Sequence, residues 1–351
     1  MIVLELLKIL FVVVLIFTIV PVLVYLERKI SAWIQWRVGP NRVGPFGLLQ
    51  PLADGIKFIF KEDLIPANAD KFLFVLAPVL VFLPPSIALA LIPFGNQIAL
   101  DYQIGTWHLK GTLSLQVANL NIGILFVMSV LSLGVYGVAL AGWSSNNKYA
   151  LLGGLRASAQ MIAYEISLGL SIIAVIMTAN TVNMQQIVLL QSDHLLHWNV
   201  FYQPIAFVIF MVAAFAENNR LPFDMPECEA ELVAGYHTEY SSMKFALFFL
   251  GEYVAMLVMS CLIVTLFLGG WSLPGVIDPT DLSIKNGILS FMVFAAKTGV
   301  ILFFYIWVRW TLPRFKWQQI MHLGWKTLIP ISLLNLVLTA VIIIAKPYLL
   351  S

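Results

Sequence analysis

Charge is scarce in this chain. Of its 351 residues only 11% are Asp, Glu, Lys or Arg, while 60% are hydrophobic. A soluble domain carries about 25% charged and about 45–50% apolar residues. With a mean hydropathy of +0.91, too little polar surface exists to face water, which excludes a cytosolic enzyme and a disordered chain. The formal net charge is only +2, and no run of Lys and Arg offers a phosphate footprint, so a nucleic-acid partner is excluded. Cysteine is almost missing. Cys228 and Cys261 cannot by themselves build a disulfide framework, a zinc site or an iron–sulfur cluster. No metal site and no bound cofactor is expected in the chain. A cleavable signal is not expected either, because the first apolar run is long and no small-residue cleavage site follows it.

What the chain has instead is long apolar runs. A helix needs about 20 mostly apolar residues to cross a bilayer core. Eight runs qualify, at roughly 6–26, 72–93, 117–143, 157–180, 200–216, 245–268, 286–308 and 327–345; the fifth is the shortest. They are far longer than the roughly 10-residue alternating strands of a membrane barrel. The expected fold is therefore an all-α integral membrane protein, a single polytopic domain over 1–351. The loops 27–71, 144–156, 217–244 and 309–326 hold most of the Lys and Arg. The positive-inside rule then places these loops in the cytoplasm and both termini on the other side. Trp33, Trp36, Trp143, Trp198, Trp310 and Trp317 fall near span ends, as an interfacial aromatic belt requires.

Two loops are more than tethers. In loop 27–71, turn punctuation from Gly39 to Gly47 is followed by Leu48, Leu49, Leu52, Ala53, Ile56 and Ile59 at helical spacing. Gln50, Asp54, Lys57 and Lys61 form a polar stripe on the same helix, with Asp54 and Lys57 one turn apart and able to pair. Such an amphipathic helix either lies on lipid headgroups or turns its polar stripe to a cavity or partner. Loop 216–244 carries Glu217, Asp224, Glu227, Glu229, Glu231 and Glu239 among Leu221, Phe223, Leu232 and Val233. The interleaved apolar residues favour burial over a solvated acidic loop. Crowded carboxyls against apolar surface resist ionisation, so some can hold protons at neutral pH.

Three ionisable groups lie within spans: Glu165, Glu252 and Lys297. Lys297 is mid-span, where a charge costs roughly 2.5–3.5 kcal/mol on insertion scales and so faces the bundle with a partner. Glu165, Glu252 and Lys297, together with Glu217, Glu227, Glu229 and Glu231, have the composition of a proton relay. His194 and His197 sit three residues apart but have no matching pair, and no metal site is read there.

These residues carry a family resemblance. Glu27-Arg28-Lys29, Arg37 through Pro45 and Leu49 through Lys57 resemble the H-type membrane subunit of NADH-quinone oxidoreductase, the bacterial counterpart of mitochondrial complex I subunit one. Gly154 through Glu165 matches a second block of that family, and Ala216 through Asp224, continuing to Tyr240, a third. A fourth runs from Arg309 to Gln319. Lys316 and Gln318 depart from the family's usual Arg and Asp, and Cys228 from a small residue. The resemblance implies a membrane subunit of a proton-pumping oxidoreductase in the bacterial inner membrane, with no catalytic redox centre of its own. It implies a quinone-binding chamber at the junction with a hydrophilic arm, with Arg28, Arg37, Asp54, Lys57, Arg220, Phe223, Asp224 and Arg314 as its expected quinone-binding residues. Quinone is then the substrate, and the iron–sulfur clusters and flavin belong to partner subunits. The partners are the other membrane and hydrophilic subunits, above all the one with the terminal cluster and its neighbour at the quinone site. A membrane anchor of a hydrogenase-type complex would share the fold. A stand-alone proton-coupled transporter would need broken helices in two halves, which the sequence does not show.

Overall fold

The computed structural model describes residues 2–104, 107–224 and 233–349, with side chains described over 5–99, 111–224 and 233–345. Seven helical segments among these are long and apolar enough to cross a membrane. They are α1 (Ile2–Ile34), α3 (Lys71–Leu89), α4 (Gly123–Ser144), α5 (Lys148–Ala179), α9 (Ser242–Phe267), α10 (Ile284–Thr311) and the last span (Trp317–Ala345). That last span starts as α11 (Trp317–His322), passes through a π-helical turn (Leu323–Leu328) and continues as α12 (Ile329–Leu349).

The fifth expected span is different. It is divided into α7 (Asn199–Tyr202) and α8 (Pro204–Glu217), broken at Gln203. At 1.5 Å per residue the 14 residues of α8 reach only about 21 Å, short of the roughly 30 Å core. Pro204 supplies the break, since it has no N–H to continue a helix from α7. Gln203 is fixed inside the bundle by Thr339 and Asn335, at 3.1 and 3.3 Å. Before it, α6 (Met184–Leu190) covers the end away from the basic loops.

Capping residues explain why the helices start earlier than the apolar runs. The Asp70 carboxylate accepts from Phe72 N and Leu73 N, Asn147 from Tyr149 N, and Ser283 from Asn286 N. Each satisfies donors that a helix start leaves orphaned. Asn147 moves the start of α5 to Lys148, so Arg156 lies inside the helix.

One element breaks the all-helical pattern. Strands β1 (Ile98–Ile104) and β2 (Trp107–Leu113) pair antiparallel, Ile98 with Leu113 and Ile104 with Trp107. They lie outside the apolar runs.

The helix α9 is the axis of the bundle, with 72% of its apolar stretch buried, against 28% for α1. α3 packs on α4 and α9, α4 on α5, and α5 on α8 and α12. Small residues set the α4–α5 crossing. A Cβ on Gly142 would lie 2.6 Å from Ala150 O, so only glycine permits this approach. On α1 a narrow seam, widening at Ser31 and Ala32, is buried, running Val12, Ile16, Val20, Leu23, Glu27 and Ile30. Steps of three and four keep these on one face. Most of the remaining circumference is exposed, as suits a helix at the bundle edge. The amphipathic helix exists as α2 (Gln50–Phe60), and none of its residues is buried.

Candidate functional site at the basic end of the bundle

The seam of α1 carries a carboxylate into the bundle. Glu27 is only 6% exposed. Its Oε2 accepts from Arg220 Nη1 at 2.8 Å and from the Tyr253 hydroxyl at 2.8 Å, and its Oε1 meets Arg309 Nη1 at 2.5 Å. Four segments thus converge on one carboxyl group: α1, the turn after α8, α9 and α10. The Arg220 guanidinium also stacks 4.2 Å from the Tyr253 ring centroid. Burial alone would lower the Arg220 pKa, but the Glu27 carboxylate, its hydrogen bond, Tyr253 and Glu252 together outweigh it and raise it, so the guanidinium stays charged.

The turn that carries Arg220 is fastened to α5. Gln160, fully buried, donates through Nε2 to Ala216 O at 2.9 Å, to Phe223 O at 2.8 Å and to Asn219 Oδ1 at 3.2 Å. Phe223 is held between Tyr164 and Phe315, with ring centroids 5.5 and 5.4 Å away. Arg314 Nη2 donates to Asp224 Oδ2 at 2.9 Å, and Phe315 N to Pro222 O at 3.1 Å. Phe223, Asp224, Arg220 and Arg314 are therefore brought together around one turn.

Arg28 follows Glu27 directly and points elsewhere. It pairs with Asp54 of α2 at 2.6 Å. This corrects the expected Asp54–Lys57 pair: Asp54 is used across elements by Arg28, and Gln50 on the preceding turn adds a 3.3 Å hydrogen bond. Beside this pair opens a cleft of about 710 Å³, lined by Arg28, Arg37, Arg42, Gln50 and the turn Val38–Asn41. Leu52, Ile56, Ile59 and Phe60 of α2 are exposed, as are Trp36 and Val38. Arg28 and Arg37 thus line one open basic cleft, and Asp54 is held beside it through its pair with Arg28. Lys57 lies one turn beyond Asp54 on the same helix.

The carboxyls expected to carry protons divide. Glu217 ends α8 and is 7% exposed, and its Oε2 has no hydrogen-bond partner among the described residues. Glu165 is close enough to repel it electrostatically. Glu217 and Glu252 line one narrow pocket of about 50 Å³, together with Asn218, Asn219, Tyr236 and apolar residues such as Leu131, Met161 and Met259. The Tyr236 hydroxyl donates to Glu252 Oε1 at 3.2 Å. Gly153 lets the segment bearing Tyr236 press against α5, since a Cβ there would meet Gly235 Cα at 2.6 Å. Glu227, Glu229 and Glu231, with Cys228, lie outside the described residues.

Lys297 stands apart from these acids, and its partner is not a carboxylate. Its ammonium donates to the carbonyls of Leu268, Gly270 and Ser272 at 2.7, 3.0 and 2.7 Å, and lies 4.3 Å from the Trp198 ring centroid. These carbonyls follow the end of α9. A helix that stops within the bundle leaves carbonyls without donors, and in a bilayer no water replaces them. Gln191 and Asn199 serve neighbouring carbonyls, of Thr265 and Leu266, in the same way. The expected bundle-facing partner exists, but it is a helix terminus.

Sequence reasoning misses Glu27, Arg309, Tyr253 and Gln160 as members of the site. Glu27 reads as the edge of a loop. Its phase on the Val12–Ile30 stripe is the signal that buries it. Among the described residues, no group of three or more His, Cys, Asp and Glu side chains is arranged to hold a metal ion.

A family model described as NADH dehydrogenase matches residues 7–340. The chain is 48% identical over 347 residues to the H-type NADH-quinone oxidoreductase subunit numbered 2 in Koribacter versatilis, covering 97% of each chain. It is 50% identical over 329 residues to the H-type subunit numbered 1 in Geobacter metallireducens, covering 94% of this chain and 93% of that one. It is also 50% identical over 329 residues to NADH-quinone oxidoreductase subunit 8 of Rhodothermus marinus, covering 91% of each. A match of this length, taking in α1 with Glu27, the Gln160–Glu165 stretch of α5 and the turn at Arg220, shows that the chain belongs to the NADH dehydrogenase family of membrane subunits, the family of these H-type proteins.

Proposed function

We propose that this chain, as a membrane subunit of an NADH-quinone oxidoreductase, forms the membrane side of a quinone chamber and starts a carboxyl path that couples quinone reduction to proton translocation. The observation that carries this reading is the narrow pocket shared by Glu217 and Glu252, one turn of chain away from the Arg220–Glu27 cluster. A water needs roughly 10–15 Å³ of such space, so about 50 Å³ admits a few waters between the two acids. Quinone reduction takes up two electrons and two protons. Electrons arriving ahead of protons leave negative charge, which draws protons onto neighbouring carboxyls. A Glu217 oxygen without a fixed partner can take up such a proton and pass it on through the cavity.

The quinone end of the reading rests on the basic cleft. Arg28 and Arg37 supply donors to ring oxygens, and the exposed apolar residues of α2 suit an isoprenoid tail. Asp54 and Lys57 frame the mouth. Phe223, with Tyr164 and Phe315, forms an aromatic wall held in place by the Asp224–Arg314 pair. Glu227, Glu229 and Glu231, outside the described residues, are the further acids of this path in the sequence. In this reading Lys297 caps a helix and is not a station for protons. The chain supplies no redox centre. The flavin and iron–sulfur clusters sit in partner subunits, and the one with the terminal cluster docks with its neighbour over the cleft. The basic loops face the cytoplasm of a bacterial cell, the membrane is the inner membrane, and both termini lie outside.

A photoreactive quinone in the intact complex tests the chamber. Irradiation is expected to label peptides covering 28–57 and 217–224, with protection by excess unlabelled quinone. Labelling confined to other subunits would remove this chain from the chamber.

A further inference from the structure

At the end of the bundle opposite the basic loops, a groove of about 260 Å³ opens between the first turns of α1, the segment after β2 and α10. Its walls are apolar, with Leu7, Phe11, Phe94 and Phe291 among them. Phe11 and Phe291 meet edge to face at 6.2 Å across it. Two polar groups interrupt this surface. Lys8 lines the rim, bonded through Nζ to the half-exposed Glu5 at 3.0 Å. Gln116 lines the interior and is 5% exposed. Its Nε2 donates to Leu91 O, while its Oε1 has no partner among the described residues. A buried acceptor left without a donor costs about 1–3 kcal/mol, which marks the place where a ligand donor fits.

We propose that this groove binds one phospholipid whose headgroup carries N–H donors, of the phosphatidylethanolamine type. The exposed flank of α1 (Leu6, Leu10, Val14 and Phe17) continues from the groove along the bilayer, so an acyl chain enters without leaving lipid. Lysine near a span end extends its ammonium to the headgroup level, and Lys8 meets the phosphate there. The headgroup ammonium supplies the donor that Gln116 Oε1 lacks. Charge and hydrogen bonding together thus select an occupant with a phosphate and a donor, where a partner's apolar helix would satisfy neither group.

The test uses the intact complex in its membrane, loaded with phosphatidylethanolamine that carries a photoreactive group on one acyl chain. After irradiation, labelled peptides are mapped by mass spectrometry. The expected result is label concentrated on peptides covering 5–14, 111–117 and 287–295, above the level on other lipid-facing helices. Phosphatidylcholine with the same photoreactive chain, which lacks N–H donors, labels these peptides less. Lys8→Gln keeps a long polar side chain at a position only 16% exposed and reduces the label about fivefold, the factor for about 1 kcal/mol per basic residue near an anionic group. Gln116→Met removes the preference for ethanolamine over choline. Label no higher than the general lipid-facing surface would overturn the proposal, as would strong label that Lys8→Gln leaves unchanged. The first result would mean that a neighbouring subunit covers the groove, the second that only unspecific annular lipid fills it.

Discussion

Replacing Glu27 by Gln keeps the size of the side chain and removes its charge. In the native cluster one carboxylate balances two guanidinium groups, Arg220 at 2.8 Å and Arg309 at 2.5 Å. Arg220 is 5% exposed, so water cannot replace the lost charge. Breaking a buried pair by removing one partner costs about 3–5 kcal/mol. Since about 1.4 kcal/mol is a factor of ten, the local equilibrium between packed and opened cluster shifts by at least about a hundredfold. Glu27 joins α1, α9, α10 and the turn after α8, so opening here separates α1 from the bundle. We expect Glu27→Gln membranes to hold much less assembled complex on a native gel, and the remainder to dissociate at lower detergent. The double variant Glu27→Gln with Arg309→Met removes one of the stranded cations and recovers part of the loss. Normal assembly of the single variant, with normal detergent resistance, would refute the claim that this cluster is a charge-balanced lock.

Two other substitutions separate structural roles from functional ones. Lys297→Met leaves three carbonyls at the end of α9 without their donor, so the complex becomes less stable while the ratio of protons to electrons in the surviving complex stays normal. A changed ratio at unchanged stability would restore Lys297 to the proton path. The Arg28–Asp54 pair is partly exposed, at 44% and 28% for its side chains, and such pairs contribute about 0–1 kcal/mol. Asp54→Asn is therefore expected to leave assembly intact and to slow quinone reduction, without affecting transfer to a hydrophilic artificial acceptor; unchanged quinone kinetics would return α2 to a purely interfacial role.

The fold is legible where one principle decides it. Apolar length alone locates all seven long spans, and helical periodicity locates α2. Length fails at the fifth run because Pro204 divides it, and the break depends on Gln203 finding partners on α12, a contact no local pattern reveals. The strand pair at 98–113 escapes because its residues are neither a long apolar run nor a helical stripe. Within the site, Arg220, Phe223, Asp224 and Arg314 are reached only through the family resemblance, whereas burial of the acidic loop 216–244 is legible from its interleaved apolar residues. Glu27 is not, because a lone acid beside Arg28 and Lys29 reads as a loop edge until the phase of the whole helix is followed. The depth of Lys297 in its run correctly implies that it faces inward. Its partners are backbone carbonyls, which sequence cannot distinguish from one another, so they stay hidden.

Proton translocation per electron, measured in membrane vesicles whose complex carries Glu217→Gln, tests the coupling claim most directly. Gln keeps the shape of the side chain and cannot exchange the proton, and Glu217 has no ion pair among the described residues whose loss would impair assembly. The account predicts intact complex on a native gel, with quinone reduction and proton translocation lowered together, and the same outcome for Glu165→Gln. Assembled variants that reduce quinone and translocate protons at normal rates would contradict it, and would make these carboxyls structural.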